Sequence, residues 1–150
     1  GRYSLNVSST GSYNSAFGDR SLYANVDGAQ NTAAGASSLT ANVSGIYNSA
    51  FGVSALLANL GTGNSAFGWE AGSALTSGNN NTMIGRGAVG AAGMDSTLQI
   101  AAGNAIQLQV SSGVWDFKTL SATSAASVAS THKIAVKING AQYYLLATNV

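Results

Sequence analysis

The chain repeats itself, and a repeat of this length leaves few folds open. Asn, then Ser or Thr, then Ala or Met, any residue and Gly recur as Asn14-Ser15-Ala16-Phe17-Gly18, Asn31-Thr32-Ala33-Ala34-Gly35, Asn48-Ser49-Ala50-Phe51-Gly52, Asn64-Ser65-Ala66-Phe67-Gly68 and Asn81-Thr82-Met83-Ile84-Gly85. Successive Asn residues stand 17, 17, 16 and 17 positions apart. Leu22, Leu39 and Leu56 keep the same step, as do Ala24, Ala41 and Ala58, then Asn25, Asn42 and Asn59, with Gly28 and Gly45 after them. Leu5, Gly11 and Tyr13 fit the end of an earlier unit, so the array is expected to begin before residue 1.

Two-helix repeats need over about 30 residues per unit, and no unit here spaces its apolar positions helically for more than a turn. The unit reads as two short strand-like segments, each closed by a Gly or Asn turn, because both residues tolerate the left-handed backbone that a sharp corner demands. That is one coil of a β-solenoid. Five coils stacked about 4.8 Å apart make a rod on the order of 24 Å tall. Each column then becomes a ladder along the axis. The Asn column is expected to bond amide to amide between coils, and the Ala and Leu columns to fill the narrow interior. Phe17, Ala34, Phe51, Phe67 and Ile84 share one column, which either completes the interior or faces a neighbouring chain.

The fourth unit departs from the pattern. After Gly68 comes Trp69-Glu70-Ala71-Gly72-Ser73-Ala74-Leu75, with Leu75 three places later than its column predicts, yet the period returns at Asn81. This predicts a coil with one rebuilt corner.

The organisation expected is a solenoid shaft over 1–93 and a β-rich cap over 94–150. From Met94 the period stops, and Leu98, Ile100, Ile106, Leu108 and Val110 alternate with small or polar residues in two runs joined by Ala102-Gly103-Asn104. Those runs read as strands with one apolar face. Trp115 and Phe117 flank Asp116, and Ser121 to Thr131 reads as a linker or extended wrap. Asn139-Gly140 between alternating apolar residues is the signature of a two-residue hairpin. It pairs Ile138 with Ala141, Val136 with Tyr143 and Ile134 with Leu145 on an apolar face. On the reverse face it pairs Lys137 with Gln142, Ala135 with Tyr144 and Lys133 with Leu146. A lone hairpin is marginal in water, so this one must dock on something.

Composition narrows the chemistry. The chain holds no Cys, one His (His132), six Lys and Arg and five Asp and Glu, for a net charge of +1. Scattered single cations make no stripe for a run of phosphates, so no nucleic-acid partner is expected. Zinc fingers, disulfide scaffolds, thiol nucleophiles and His-pair metal sites are closed, and no metal or cofactor is expected. No run of about 18 apolar residues exists to span a bilayer, so membrane insertion is not expected. Among the five acids, Asp19 and Glu70 lie just after column glycines three coils apart. Stacking alone separates them by about 14 Å, beyond the span of a paired-carboxylate glycosidase. Gly85-Arg86-Gly87-Ala88-Val89-Gly90 matches a nucleotide-binding glycine pattern but lacks its strand, turn and helix context. The aromatics Trp69, Trp115, Tyr143 and Tyr144 are each able to stack on a sugar or to serve as interface core. Trp69 with Glu70 beside it is the candidate glycan contact.

The repeats at residues 48–52, 64–68 and 78–85 resemble the Gly/Asn/Ala repeats of bacteriophage tail fibres and tail-spike stalks. They are also similar to the head repeats of trimeric autotransporter adhesins on bacterial surfaces. The closing stretch His132 to Gly140 with Tyr143-Tyr144-Leu145-Leu146 resembles the C-terminal hairpin of many phage structural proteins. The period of 17 is longer than the usual adhesin head repeat, which favours the virion. The resemblance implies an all-β parallel homotrimer, a non-catalytic structural part of a tail fibre that presents or forms a host-surface attachment tip. A host glycan or protein receptor and other virion tail proteins are the partners it implies. The hairpin residues Ile134, Val136, Ile138, Tyr143 and Leu145 would then hold three chains in register. Slim rods with exposed aromatic columns have surface to bury in any case.

Overall fold

A computed structural model describes residues 1–7, 10–116, 134–138 and 141–145, the last two segments as backbone alone. Two compact units result, Gly1–Thr119 and Leu120–Val150. Among the described residues there is no helix. The first unit is a β-solenoid of about five turns.

Each full coil contributes one three-residue strand: β1 (Ser15–Phe17), β2 (Thr32–Ala34), β3 (Ser49–Phe51), β4 (Ser65–Phe67) and β5 (Thr82–Ile84). They pair in parallel with Ala16 against Ala33, Ala33 against Ala50, Ala50 against Ala66 and Ala66 against Met83, so every repeat column is a true ladder. The second strand expected in each coil is instead a run of turns. Coil-to-coil hydrogen bonding persists there, for example from Leu22 N–H to the Ser38 carbonyl at 3.0 Å and from Leu39 N–H to that of Ala55 at 3.0 Å. The partial coil at the start joins in the same way, through Leu5 N–H to the Ser21 carbonyl at 3.1 Å.

The sheet continues across residue 93. β6 (Leu98–Ala102) pairs in parallel with β5, and β7 (Ala105–Ser111) and β8 (Val114–Asp116) then add antiparallel, giving eight strands in sequence order. The β6–β7 turn falls at Gly103-Asn104, with a bulge between Ile100 and Ala101. Gln99 points inward and is buried, and its amide donates to Gln109 Oε1 at 3.3 Å, so a polar side chain closes the apolar interior at this end.

The interior is one residue deep. Leu22, Leu39, Leu56, Leu75, Met83, Ala33, Ala50 and Ala66 are fully buried. Leu22, Leu39 and Leu56 adopt left-handed backbone, with φ of 50°, 49° and 50°. That conformation costs roughly 1–2 kcal/mol per non-Gly residue. Burying a Leu side chain gains about 1.5–3 kcal/mol, so the column is retained because burial outweighs the strain.

Asn plays a different part from the one its turn propensity suggests. The left-handed corners are held by Arg20, Leu22 and Gln30 and their equivalents, whereas none of the five repeat Asn residues has positive φ. Asn31, Asn48, Asn64 and Asn81 are buried instead. Their amides bond mainly to backbone. Asn14 Oδ1 accepts from Asn31 N–H at 3.0 Å, Asn31 from Asn48 at 2.9 Å, Asn48 from Asn64 at 2.9 Å, Asn64 from Asn81 at 2.9 Å, and Asn81 from Thr97 at 2.9 Å. Direct amide-to-amide bonds appear at two steps of this column, Asn31 to Asn14 at 3.2 Å and Asn81 to Asn64 at 3.0 Å, and at one step of the neighbouring column, Asn42 to Asn25 at 2.9 Å.

The same amides clamp each coil shut. Asn14 and Asn25 both donate to the Gly28 carbonyl, at 2.7 and 2.9 Å. Asn31 and Asn42 converge on Gly45, and Asn48 and Asn59 on Gly61. Gly28 is required by proximity, since a Cβ there would lie 2.6 Å from the Gly45 carbonyl oxygen. The corner glycines Gly18, Gly35, Gly52, Gly68 and Gly85 have φ between 91° and 142°, a region closed to other residues.

The fourth coil keeps its corner. Glu70, Gly72 and Asn80 take the left-handed positions of Arg20, Leu22 and Gln30, and Gly78 keeps its place as acceptor for Asn64 at 2.7 Å. The side chains change instead: Gly72 stands in the Leu column and Leu75 in the column of Asn25, Asn42 and Asn59. The one-residue deletion lies in the third coil, between Asn59 and Gly61.

In the second unit, β9 (Ile134–Ile138) and β10 (Ala141–Leu145) form an antiparallel pair. Its register sets Ile138 against Ala141, Lys137 against Gln142, Val136 against Tyr143, Ala135 against Tyr144 and Ile134 against Leu145, as the hairpin pattern predicts. The expectations for Phe117, the 121–131 stretch, His132, Lys133, the Asn139-Gly140 turn and Leu146 fall outside the described residues.

Candidate functional site

The solenoid strands have two sides, and period-two alternation decides what each one shows. The middle residue of each strand points inward. The first and third point out, so Phe17, Phe51, Phe67 and Ile84 lie on the outer surface with exposures of 68, 40, 45 and 38%. Between the two readings of this column, the interior is excluded. Phe51 and Phe67 stack with ring centroids 5.2 Å apart and planes within 2°. Ala34 leaves a gap between Phe17 and Phe51.

Beyond residue 93 the outer face widens. Ile84 registers with Ile100, and Ile100 with Leu108. A second row begins where Thr82 registers with Leu98, Leu98 with Val110 and Val110 with Trp115. The apolar face read from the alternation of 98–110 is therefore an outward extension of the Phe column. No charged residue occupies either outward position of β1 to β7 from Ser15 to Leu98 or across to Val110. Trp115 closes the patch, 63% exposed. A shorter outward column, Val26, Val43 and Leu60, stands elsewhere on the coils at 40, 42 and 53% exposure.

Trp69 and Glu70 sit at the corner after Gly68. Glu70 is half-buried with φ 56°, its N–H donating to the Val53 carbonyl at 2.9 Å. Trp69 is 45% exposed, and the Arg86 guanidinium lies over its ring, 4.3 Å from the centroid. One face of the indole is thus covered by a cation from the next coil, a contact hidden in sequence by a separation of 17 positions. Asp19 and Glu70 remain three coils apart in register. The glycines at 85, 87 and 90 occupy solenoid turns, with Gly90 against Leu75 and Met83.

Among the described residues no group of three or more His, Cys, Asp or Glu could hold a metal ion, and no helix is long and apolar enough to cross a membrane. The hairpin residues Ile134, Val136, Ile138, Tyr143 and Leu145 belong to the second unit, placed by backbone register alone.

The architecture defines a class, a β-solenoid repeat protein whose outer sheet face, free of charge from β1 to β7, sets an apolar column beside a column of Ser and Thr. The chain matches no protein-family model, no curated protein and no solved structure.

Proposed function

We propose that the chain is a shaft or distal segment of a homotrimeric bacteriophage tail fibre, part of the virion, which presents or forms a host-surface attachment tip and catalyses nothing. The observation that carries the reading is the outward Phe and Ile column with its continuation through Ile100, Leu108, Leu98, Val110 and Trp115. A contiguous apolar surface on a slim rod favours burial against another chain. Identical copies related by a closed rotation each present the same patch, which suits a column running along the rod axis. Coil-to-coil backbone ladders supply the stiffness a shaft needs. Other virion tail proteins are its proposed neighbours, and a cell-surface glycan or protein its proposed receptor. Trp69 with Glu70 is the proposed glycan contact, through the indole face that Arg86 leaves open.

Molar mass by light scattering tests the assembly. Three chains are expected for the wild type, and the double change Phe51→Ser and Phe67→Ser is expected to give folded single chains with an unchanged far-ultraviolet circular dichroism spectrum. A folded monomeric wild type would remove the trimer and the fibre role with it.

A further inference from the structure

The Asn column from Asn14 to Asn81 and the corner-Gly column from Gly18 to Gly85 are constant from coil to coil, whereas two outward columns that follow the Gly corner vary. One reads Tyr3, Arg20, Ser37, Ser54 and Glu70; the other reads Tyr23, Thr40, Leu57 and Ser73. Variation in a column that the backbone does not need is where recognition can be written. At the first step of both columns, Tyr3, Arg20, Tyr23 and Thr40 line an open cleft of about 510 Å³. That is within the range of small-ligand sites. The cleft lies past the Gly18 corner, on a different face from the strands.

The four side chains are chemically complementary to one kind of ligand. Tyr3 and Tyr23 are 44 and 36% exposed and offer flat amphipathic rings, suited to the apolar face of a pyranose with a hydroxyl beside it. Arg20 is exposed and makes no ion pair with Asp19 or Asp27, so its planar fork of donors is free for a carboxylate. The Thr40 hydroxyl donates to the Arg20 carbonyl at 3.1 Å, which commits its proton and leaves its lone pairs to accept from a ligand hydroxyl. Arg2 lies over the Tyr3 ring, 4.9 Å from the centroid, and adds a second positive charge beside the cleft.

The positions are also held firmly. Tyr3 and Arg20 share the left-handed corner conformation, with φ of 58° and 54°, and the Arg20 N–H donates to the Arg2 carbonyl at 2.9 Å. Side chains rooted on such a ladder lose less freedom on binding than side chains on a loose loop.

We infer that the Tyr3, Arg20, Tyr23 and Thr40 cleft binds a carboxylate-bearing sugar, a uronic or sialic acid. The cleft is complete within one chain, so the inference stands or falls independently of the trimer: a monomeric wild type would end the fibre reading and leave this one intact.

The test is a calorimetric titration of the full chain with trigalacturonic acid and with sialyllactose, each beside its own neutral methyl ester. At least one acid is expected to bind about tenfold or more tighter than its ester, since the guanidinium sees charge only in the acid. Which acid binds tells the uronic source from the sialic one. Arg20→Gln is expected to weaken the acid about tenfold and leave the ester unchanged, while Tyr23→Ala weakens both. Gln is compatible with the Arg20 backbone, because Gln30 adopts the same left-handed conformation at φ 57°. Equal affinity for acid and ester, full acid affinity in Arg20→Gln, or no saturable binding of any of these ligands up to about 10 mM would overturn the inference.

Discussion

Coils one to three and coil four thread the same backbone path around different interiors. The first three present a fully buried Leu column, Leu22, Leu39 and Leu56, beside a buried Asn column, Asn25, Asn42 and Asn59. The fourth has Gly72 in the first column and the fully buried Leu75 in the second, yet its corners fall at the equivalent residues. What both kinds of coil share is the other Asn column, from Asn14 to Asn81. The two Asn columns are alike in type and burial and differ in duty. The shared one accepts the backbone N–H of the next coil; the replaceable one reaches a Gly carbonyl that already has a donor. A solenoid of this kind therefore rests on the ladder that leaves a backbone group orphaned when it is removed.

Substitution of each column separates those duties. Asn48→Leu strands the buried N–H of Asn64, which has Asn48 Oδ1 as its acceptor at 2.9 Å, and takes one of two donors from Gly61. An unsatisfied buried donor plus the lost bonds should cost on the order of 3 kcal/mol. Asn59→Leu places Leu where the fourth coil has Leu75, with Leu56 retained where that coil has Gly72. The Gly61 carbonyl keeps Asn48 at 2.9 Å, and the Asn64 amide keeps the Gly78 carbonyl at 2.7 Å. No backbone group is orphaned, so a loss of about 1 kcal/mol is expected. Urea midpoints followed by far-ultraviolet circular dichroism measure both. Equal losses would erase the distinction between the columns.

Period, one strand per coil and hairpin register are legible in the sequence, because each is carried by a pattern that recurs or alternates, whereas the second strand expected in each coil is a run of turns. Asn14-Ser15-Ala16-Phe17-Gly18 sets strand and corner together, and Ile134 to Leu145 pair as the two-residue loop requires. The role of Asn was not legible. Turn propensity and amide ladder formation favour the same residue, and only in the folded coil is the amide seen to be buried while Arg20, Leu22 and Gln30 bend the chain. Those corners override local preference because bonds to both neighbouring coils fix the backbone around them. The direction of the Phe column was equally hidden. A three-residue strand with Ala in the middle and Phe at the end reads the same from either side until the Leu column is seen to fill the interior. In the fourth unit, Leu75 looks like a displaced member of the Leu column, but position along the coil, and not residue type, decides which column it joins. The Tyr3 and Arg20 cleft was missed for the opposite reason: its signal is variation within a repeat, and attention to the repeat discards it.

The smallest net effect expected, that of a compensating pair of substitutions, is also the most discriminating, because it asks how the fourth coil compensates for its missing Leu. A Cβ placed on Gly72 would lie 2.7 Å from Leu56 Cδ2 and 3.5 Å from Met83 Cγ, so side chains from the coils on either side occupy that space. Met83 stands where the preceding coils have Ala16, Ala33, Ala50 and Ala66. Volume removed at Gly72 has thus been returned one coil later at Met83. Gly72→Leu alone should overpack against Leu56 and Met83, costing about 2 kcal/mol, although its φ of 66° suits the left-handed Leu of this column. Met83→Ala alone should open a cavity at a cost of about 3 kcal/mol. Together they set Leu over Ala as in the first three coils, with Leu75 still in the Asn column, and the double variant should fall within about 1 kcal/mol of the wild type, a coupling that a double-mutant cycle reads directly. Additive losses would mean that the fourth interior is a separate packing solution, and that the repeat fixes the backbone without fixing how each coil is filled.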